Sequence, residues 1–114
     1  MQEEIVSLIA ETAADKKALD IAVLDLEGIS ILTDYFIICS GKTDVQVKAI
    51  ARAIEEKMEV KLDRLVERKE GAEQGKWILL DYGDIIVHIF RQQERKYYQL
   101  ERLWGDAKRV AWNK

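Results

Sequence analysis

The sequence predicts an α/β (α+β) domain, a mixed sheet with flanking helices, and three observations carry that prediction. Two short β-branched or aromatic runs, Ile21-Ala22-Val23-Leu24 and Tyr35-Phe36-Ile37-Ile38, have the length and composition of strands buried on both faces. A longer stretch beginning at Thr43 repeats its apolar residues at helical spacing. Trp77-Ile78-Leu79-Leu80-Asp81-Tyr82 and Ile85-Ile86-Val87-His88-Ile89-Phe90 flank Gly83-Asp84, a favoured two-residue turn between antiparallel strands. Helix-like and strand-like stretches thus alternate around a late hairpin, the pattern of helices packed on a mixed sheet.

Taken in order, Ile5, Leu8, Ile9 and Thr12-Ala13 recur at helical spacing, with Glu3 and Glu4 in a first turn where the helix dipole favours negative charge. Strands follow at 20–26 and 34–39. Thr43-Asp44-Val45-Gln46 has capping-box spacing, with Gln46 able to reach back to the backbone of Thr43. Val47, Ile50, Ile54 and Met58 then form one stripe opposite Lys48, Arg52, Glu55, Glu56 and Glu59, which predicts a surface helix packed on the sheet. The stretch 61–66 reads as a weaker strand at an edge, and 68–75, polar with two glycines, as a mobile loop. After the hairpin, 94–104 reads as a helix with Tyr97, Leu100, Leu103 and Trp104 on one side and Gly105 at the C-cap.

Composition narrows the function classes. The 114 residues, 48% hydrophobic and 34% charged, suit a single domain over 1–114. No run approaches the ~18 apolar residues that a membrane span needs, and Met1-Gln2-Glu3-Glu4 is acidic where a targeting peptide is basic, so a cytoplasmic protein without a membrane partner is expected. The single cysteine, Cys39, excludes an internal disulfide and a thiolate-rich zinc site. A net charge of −3 argues against nucleic-acid binding by phosphate neutralisation and for basic partners, with little direct RNA contact. Arg91, Arg95, Lys96, Arg102, Lys108 and Arg109 are interleaved with Glu94, Glu101 and Asp106, the pattern of a solvated face.

With Gly83-Asp84 as the turn, Tyr82 pairs with Ile85, Asp81 stands opposite Ile86, Leu79 opposite His88, and Trp77 opposite Phe90. One face of the hairpin, Ile78, Leu80, Tyr82, Ile85, Val87 and Ile89, is the core side. The other, Trp77, Leu79, Asp81, Ile86, His88 and Phe90, mixes aromatic rings with an acid and an imidazole, as a protein-protein hot spot does. The alternative is a sheet covered on both sides, with His88 satisfied by a buried partner. Periodicity alone does not choose between them.

Three patterns could carry chemistry, and each has a plainer reading. Asp25-Leu26-Glu27 would put two carboxylates on one face of a strand, as in a metal-dependent nucleotidyltransferase, but Glu27-Gly28 also reads as a strand end entering a turn. Ser40-Gly41-Lys42 precedes a helix N-terminus that could attract phosphate, yet lacks the full phosphate-loop pattern. Cys39 and His88 have no orienting third residue, and a buried cysteine is the simpler assignment. No cofactor and no metal site is expected.

Beyond periodicity, 17–104 resembles the ribosomal silencing factor (Iojap-like) family. The resemblance runs through Lys17-Ala18-Leu19-Asp20-Ile21, Val23-Leu24-Asp25-Leu26, Asp34-Tyr35-Phe36-Ile37-Ile38-Cys39-Ser40-Gly41, Gln46-Val47, Trp77 to Asp84, Val87-His88-Ile89-Phe90, Tyr97-Tyr98 and Leu100-Glu101-Arg102-Leu103-Trp104. It implies a mixed, roughly five-stranded sheet, distantly like the nucleotidyltransferase fold but without the transferase signature, and a non-enzyme. It also implies docking on protein fourteen of the large ribosomal subunit, a basic protein on the face that meets the small subunit, so that joining is obstructed and translation is repressed. Carried over by position, the contact region falls on Trp77, Leu79, Asp81, Tyr82, Asp84, His88 and Phe90, although the register puts Tyr82 on the core face. Two rival expectations remain, a degenerate metal-dependent nucleotidyltransferase using Asp25 and Glu27, and a homodimer that pairs its aromatic faces.

Overall fold

The apolar stripes of two helices are buried on one face of a sheet. In the computed structural model, which describes residues 2–112, α1 (Gln2–Asp15) buries Val6, Ile9, Ala10, Thr12 and Ala13. β1 (Leu19–Asp25) and β2 (Tyr35–Gly41) follow, and every residue of β2 is buried, as a run without polar alternation requires. α2 (Asp44–Leu62) buries Val47, Ile50, Ala51, Ile54 and Met58, the predicted stripe plus one alanine. β3 (Arg68–Glu70), β4 (Trp77–Asp81) and β5 (Ile85–Arg91) lead into α3 (Gln92–Tyr98), α4 (Leu100–Leu103) and β6 (Lys108–Arg109).

The strands form one mixed sheet in the order β3-β4-β5-β2-β1-β6. β2 is parallel to β5 and antiparallel to β1, and α2 lies within the crossover that a parallel pair needs. The sheet has six strands, one more than the resemblance implies; the addition is the short β6, where Lys108 and Arg109 pair with Asp25 and Leu24. The hairpin register is the expected one: Asp81 faces Ile86, Leu79 faces His88, and Trp77 faces Phe90. Tyr82 N–H donates to the Ile85 carbonyl at 2.9 Å, and Gly83 takes φ +89° at the turn.

Five local expectations are corrected. The stretch 61–66 is not a strand: α2 runs on to Leu62 and stops at Asp63, whose left-handed backbone (φ 52°) returns its N–H to the Glu59 carbonyl. The strand lies instead at Arg68–Glu70, inside the segment read as a mobile loop. All three of its residues are exposed, so no apolar alternation announces it; it forms because β4 offers a free edge, with Arg68 opposite Asp81 and Glu70 opposite Leu79. The helix read at 94–104 is broken at Gln99 (φ 48°) into α3 and α4, which turns Tyr97 and Leu103 outward while Leu100 and Trp104 still pack inward. Arg95 ties this segment to the sheet, donating to Ser40 Oγ at 2.8 Å and pairing with Glu101 at 2.8 Å. Gly105 does not adopt the positive φ of a glycine cap. The capping box also differs in one bond, since Gln46 Oε1 accepts from Lys42 N–H (2.7 Å) rather than from Thr43.

Gly71 is the glycine whose replacement costs most. Its φ is +80°, and a Cβ there would collide with the Trp77 carbonyl oxygen, a backbone atom that cannot swing away. Gly71→Ala is expected to lower stability by about 2 kcal/mol or more. In urea unfolding the midpoint should fall at unchanged slope.

Candidate functional site

The two faces of the hairpin have different fates. Ile78, Leu80, Tyr82, Ile85, Val87 and Ile89 are all buried in the cluster that α1 and α2 cover. On the opposite face Leu24, Leu26, Phe36, Ile38 and Phe90 make a second, smaller cluster, against which Trp77, Ile86, Leu100, Trp104 and Ala107 pack while partly open to solvent. Neither sequence alternative describes this face alone. The chain after α3 covers part of it, burying His88 and Phe90, and leaves Trp77, Leu79, Asp81 and Ile86 half-exposed.

Trp77 is held by three neighbours. Its ring stacks on Phe90 (centroids 4.7 Å apart, planes at 26°) and lies 5.0 Å from Tyr98, and its Nε1 donates to His88 Nδ1 at 3.1 Å. Because Nδ1 accepts, the neutral imidazole carries its proton on Nε2, a buried atom with no hydrogen-bond partner among the described residues. Phe36 packs edge-on against the same ring at 4.6 Å. Burial pushes the His88 pKa down to about 4, so the imidazole is neutral at pH 7.

The acids stand at the turn. Asp81 Oδ1 accepts from Gly83 N–H at 2.8 Å, and Arg68 approaches its other oxygen at 4.0 Å. Asp84 pairs with Arg64 at 2.8 Å and accepts from Gln2 at 3.3 Å; burial opposes its ionisation, but these bonds hold its carboxyl below the usual range. Tyr82 is buried on the core side, as its register requires, with the Arg64 guanidinium 5.7 Å from its ring centre. Burial first, then Glu55, pushes its phenol up to about 12 against the pull of Arg64. The seven residues singled out from the sequence therefore share one hairpin but are not equivalent: Trp77, Leu79, Asp81 and Asp84 reach the surface, whereas Tyr82, His88 and Phe90 lie beneath it. Sequence reasoning missed Arg64, which it placed in a strand, and Tyr98, which it did not single out as a site residue beside Trp77.

The Tyr82 hydroxyl has no hydrogen-bond partner among the described residues. Tyr82→Phe is expected to leave stability unchanged or raise it by about 1 kcal/mol, because an unpaired buried polar atom is removed. Thermal unfolding measures this, and the same variant reports whether the hydroxyl is used in binding.

The three chemical patterns are separated by the fold. β1 ends at Asp25, so Glu27 lies past the strand, and Asp25 Oδ1 is engaged by the Glu27 N–H at 2.9 Å; the shared strand face required of a metal pair does not form. Among the described residues no group of three His, Cys, Asp or Glu side chains is placed to hold a metal ion. Gln46 occupies the Lys42 N–H, and Thr43 Oγ1 the Gln46 N–H, at the α2 N-terminus. Cys39 is fully buried in the cluster under α1 and α2, with its thiol pushed up to about 12 by burial, while His88 belongs to the opposite face of the sheet. No helix among the described residues is long and apolar enough to cross a membrane.

Comparison with known proteins agrees with this architecture. The family model described as "Ribosomal silencing factor during starvation" matches residues 1–114. The ribosomal silencing factor RsfS of Bacillus subtilis is 47% identical over 106 residues, which cover 93% of this chain and 89% of that protein. The chloroplastic protein Iojap of Zea mays is 33% identical over 99 residues, covering 87% of this chain and 42% of that longer protein. A crystal structure of a Chromobacterium violaceum protein superposes with a TM-score of 0.86 at 36% identity, covering 90% of this chain and 84% of that one. A second, from Bacillus halodurans, gives 0.83 at 39% identity, covering 95% and 97%. With its whole length matched by the family model and nearly half its residues shared with a full-length relative, the chain belongs to the ribosomal silencing factor family.

Proposed function

We propose that this protein binds the large ribosomal subunit through that subunit's protein fourteen and blocks joining of the small subunit by its bulk, so repressing translation. The observation that carries the reading is the half-open Trp77, fixed by Phe90, Tyr98 and His88 at one end of a strip that runs along β4 to Asp81. A large ring locked in place before binding loses little entropy when a partner covers it, which is what an interface anchor needs. Leu79 and Ile86 extend the apolar area, and Asp81 and Asp84 supply a negative border for a basic partner. His88 and Phe90 act from below, as the support that sets the ring's angle.

Nothing in this mechanism requires a bond to be made or broken. The body measures 34 × 33 × 28 Å. Seated on a surface that must otherwise meet another subunit, even its thinnest dimension is several side chains deep, and no rotamer change could accommodate it.

Pelleting the protein with purified ribosomal particles tests the reading. It should sediment with isolated large subunits, and neither with small subunits nor with joined ribosomes. Equal sedimentation with small subunits, or none with large ones, contradicts it.

A further inference from the structure

One surface feature is left over by the site above. The loop at 26–34, between β1 and β2, exposes three large aliphatic residues within four positions: Ile31 is completely exposed (101%), Leu32 is 82% exposed and Ile29 46%. Such a cluster on an isolated domain is usually hidden or replaced by polar residues.

This loop is nevertheless tied down. Leu26 N–H donates to the Asp34 carbonyl at 2.7 Å, Ile29 and Ser30 N–H both donate to the Leu26 carbonyl, and Leu32 N–H donates to Ser30 Oγ at 3.1 Å. Asp34 and Tyr35 N–H donate to the Asp84 carbonyl at 3.0 and 3.1 Å, which fixes the loop's end to the hairpin turn. Leu26, the pivot of these bonds, buries its side chain in the cluster against which Trp77 packs. The aliphatic loop therefore sits beside the hairpin turn, at the end of β4 away from Trp77.

Its surroundings are acidic. Asp25, Glu27 and Glu3 lie close enough to the Tyr35 hydroxyl to oppose its ionisation, and Asp34 accepts from the Gln2 side-chain amide at 2.6 Å, next to an Asp84 whose charge Arg64 matches. Carboxylates around bare aliphatic side chains repel a phosphate backbone and offer nothing on which a base could stack. They suit a basic protein surface that carries an apolar pocket.

We infer that the Ile29, Ile31 and Leu32 loop is a second docking element, inserting its aliphatic side chains into an apolar pocket of a basic protein on the large ribosomal subunit while Trp77 anchors the other end. This rests on the ribosomal reading above and adds to it the part of the surface that the hairpin does not supply. The loop's backbone bonds preorganise it, so little is lost in ordering it on contact.

The test is the double substitution Ile31→Ser with Leu32→Ser, both at exposed positions and so compatible with an unchanged fold, checked by circular dichroism and melting temperature. In pelleting titrations with large subunits the variant is expected to bind about 10-fold more weakly than the unmodified protein, and Ile31→Leu to bind as the unmodified protein does. If the unmodified protein binds and the double variant binds equally well, the loop inference is overturned and the ribosomal reading stands. Failure of the unmodified protein to bind any large subunit removes both. Should the substitutions change only the mass of the free protein in sedimentation, or weaken binding equally to protein-free ribosomal RNA, the loop serves self-association or RNA instead, and the inference is also overturned.

Discussion

Trp77→Ala is expected to weaken binding to large subunits by about 100-fold, in line with the ~2–4 kcal/mol typical of an aromatic anchor. The fold should suffer too. Truncation uncovers Phe90, on which the indole stacks, and strips His88 Nδ1 of its donor when its Nε2 is already unpartnered. A loss of ~3 kcal/mol of stability would follow from these two changes together. Trp77→Phe separates the effects, because it keeps a ring over Phe90 and removes only the N–H. That variant should retain most of the binding while losing about 1–2 kcal/mol of stability. Subunit titrations beside urea unfolding of the two variants provide the comparison. Full binding by a folded Trp77→Ala protein would show that Trp77 is not the anchor.

The second large effect is on pH dependence. In the fold, burial holds His88 near pKa 4, against 6.5 for the free side chain. Between those values the unfolded chain takes up a proton that the folded one refuses, so stability declines as pH falls from 6.5 towards 4 and this loss levels off below it. A gap of that size corresponds to ~3 kcal/mol. Protonation would also end acceptance at Nδ1, and with it the bond from Trp77. Asp84 acts in the adjoining window: its lowered pKa means that its contribution to stability is present at neutral pH and is lost only as pH falls through and below the usual carboxylate range. Replacing His88 with leucine should therefore flatten the upper part of the acid limb and leave the lower part. Urea midpoints from pH 7 down to about 2 measure this, and an unflattened upper limb in His88→Leu would assign the sensitivity elsewhere.

How far the sequence carries depends on whether a feature is written in local periodicity or in a distant contact. The hairpin was legible to the residue, because Gly83-Asp84 fixes the register and the strict alternation of Ile78, Leu80, Val87 and Ile89 fixes the faces. The stripe of α2 was equally plain. β3 was not, since Arg68, Lys69 and Glu70 have no apolar pattern and owe their conformation to the free edge of β4 and to ties such as Lys69 to Glu55 at 3.2 Å. The break at Gln99 was hidden for a similar reason: no glycine or proline marks it, and the bonds of Arg95 to Ser40 and Glu101 lie across the fold. At the site, alternation identified the mixed face correctly but could not say that the chain after α3 would roof half of it. Phe90 and His88 thus turned out to be supports beneath the surface, while Tyr98 arrived beside Trp77 from another element.

Light scattering shows whether the bound protein obstructs subunit joining. Large subunits are preincubated with increasing amounts of the protein and mixed with small subunits at a magnesium concentration that favours joining. The scattering amplitude should fall in proportion to the fraction of large subunits occupied, with Trp77→Ala shifted to about 100-fold higher concentration. Large subunits fully occupied by the protein yet joining with undiminished amplitude would contradict obstruction.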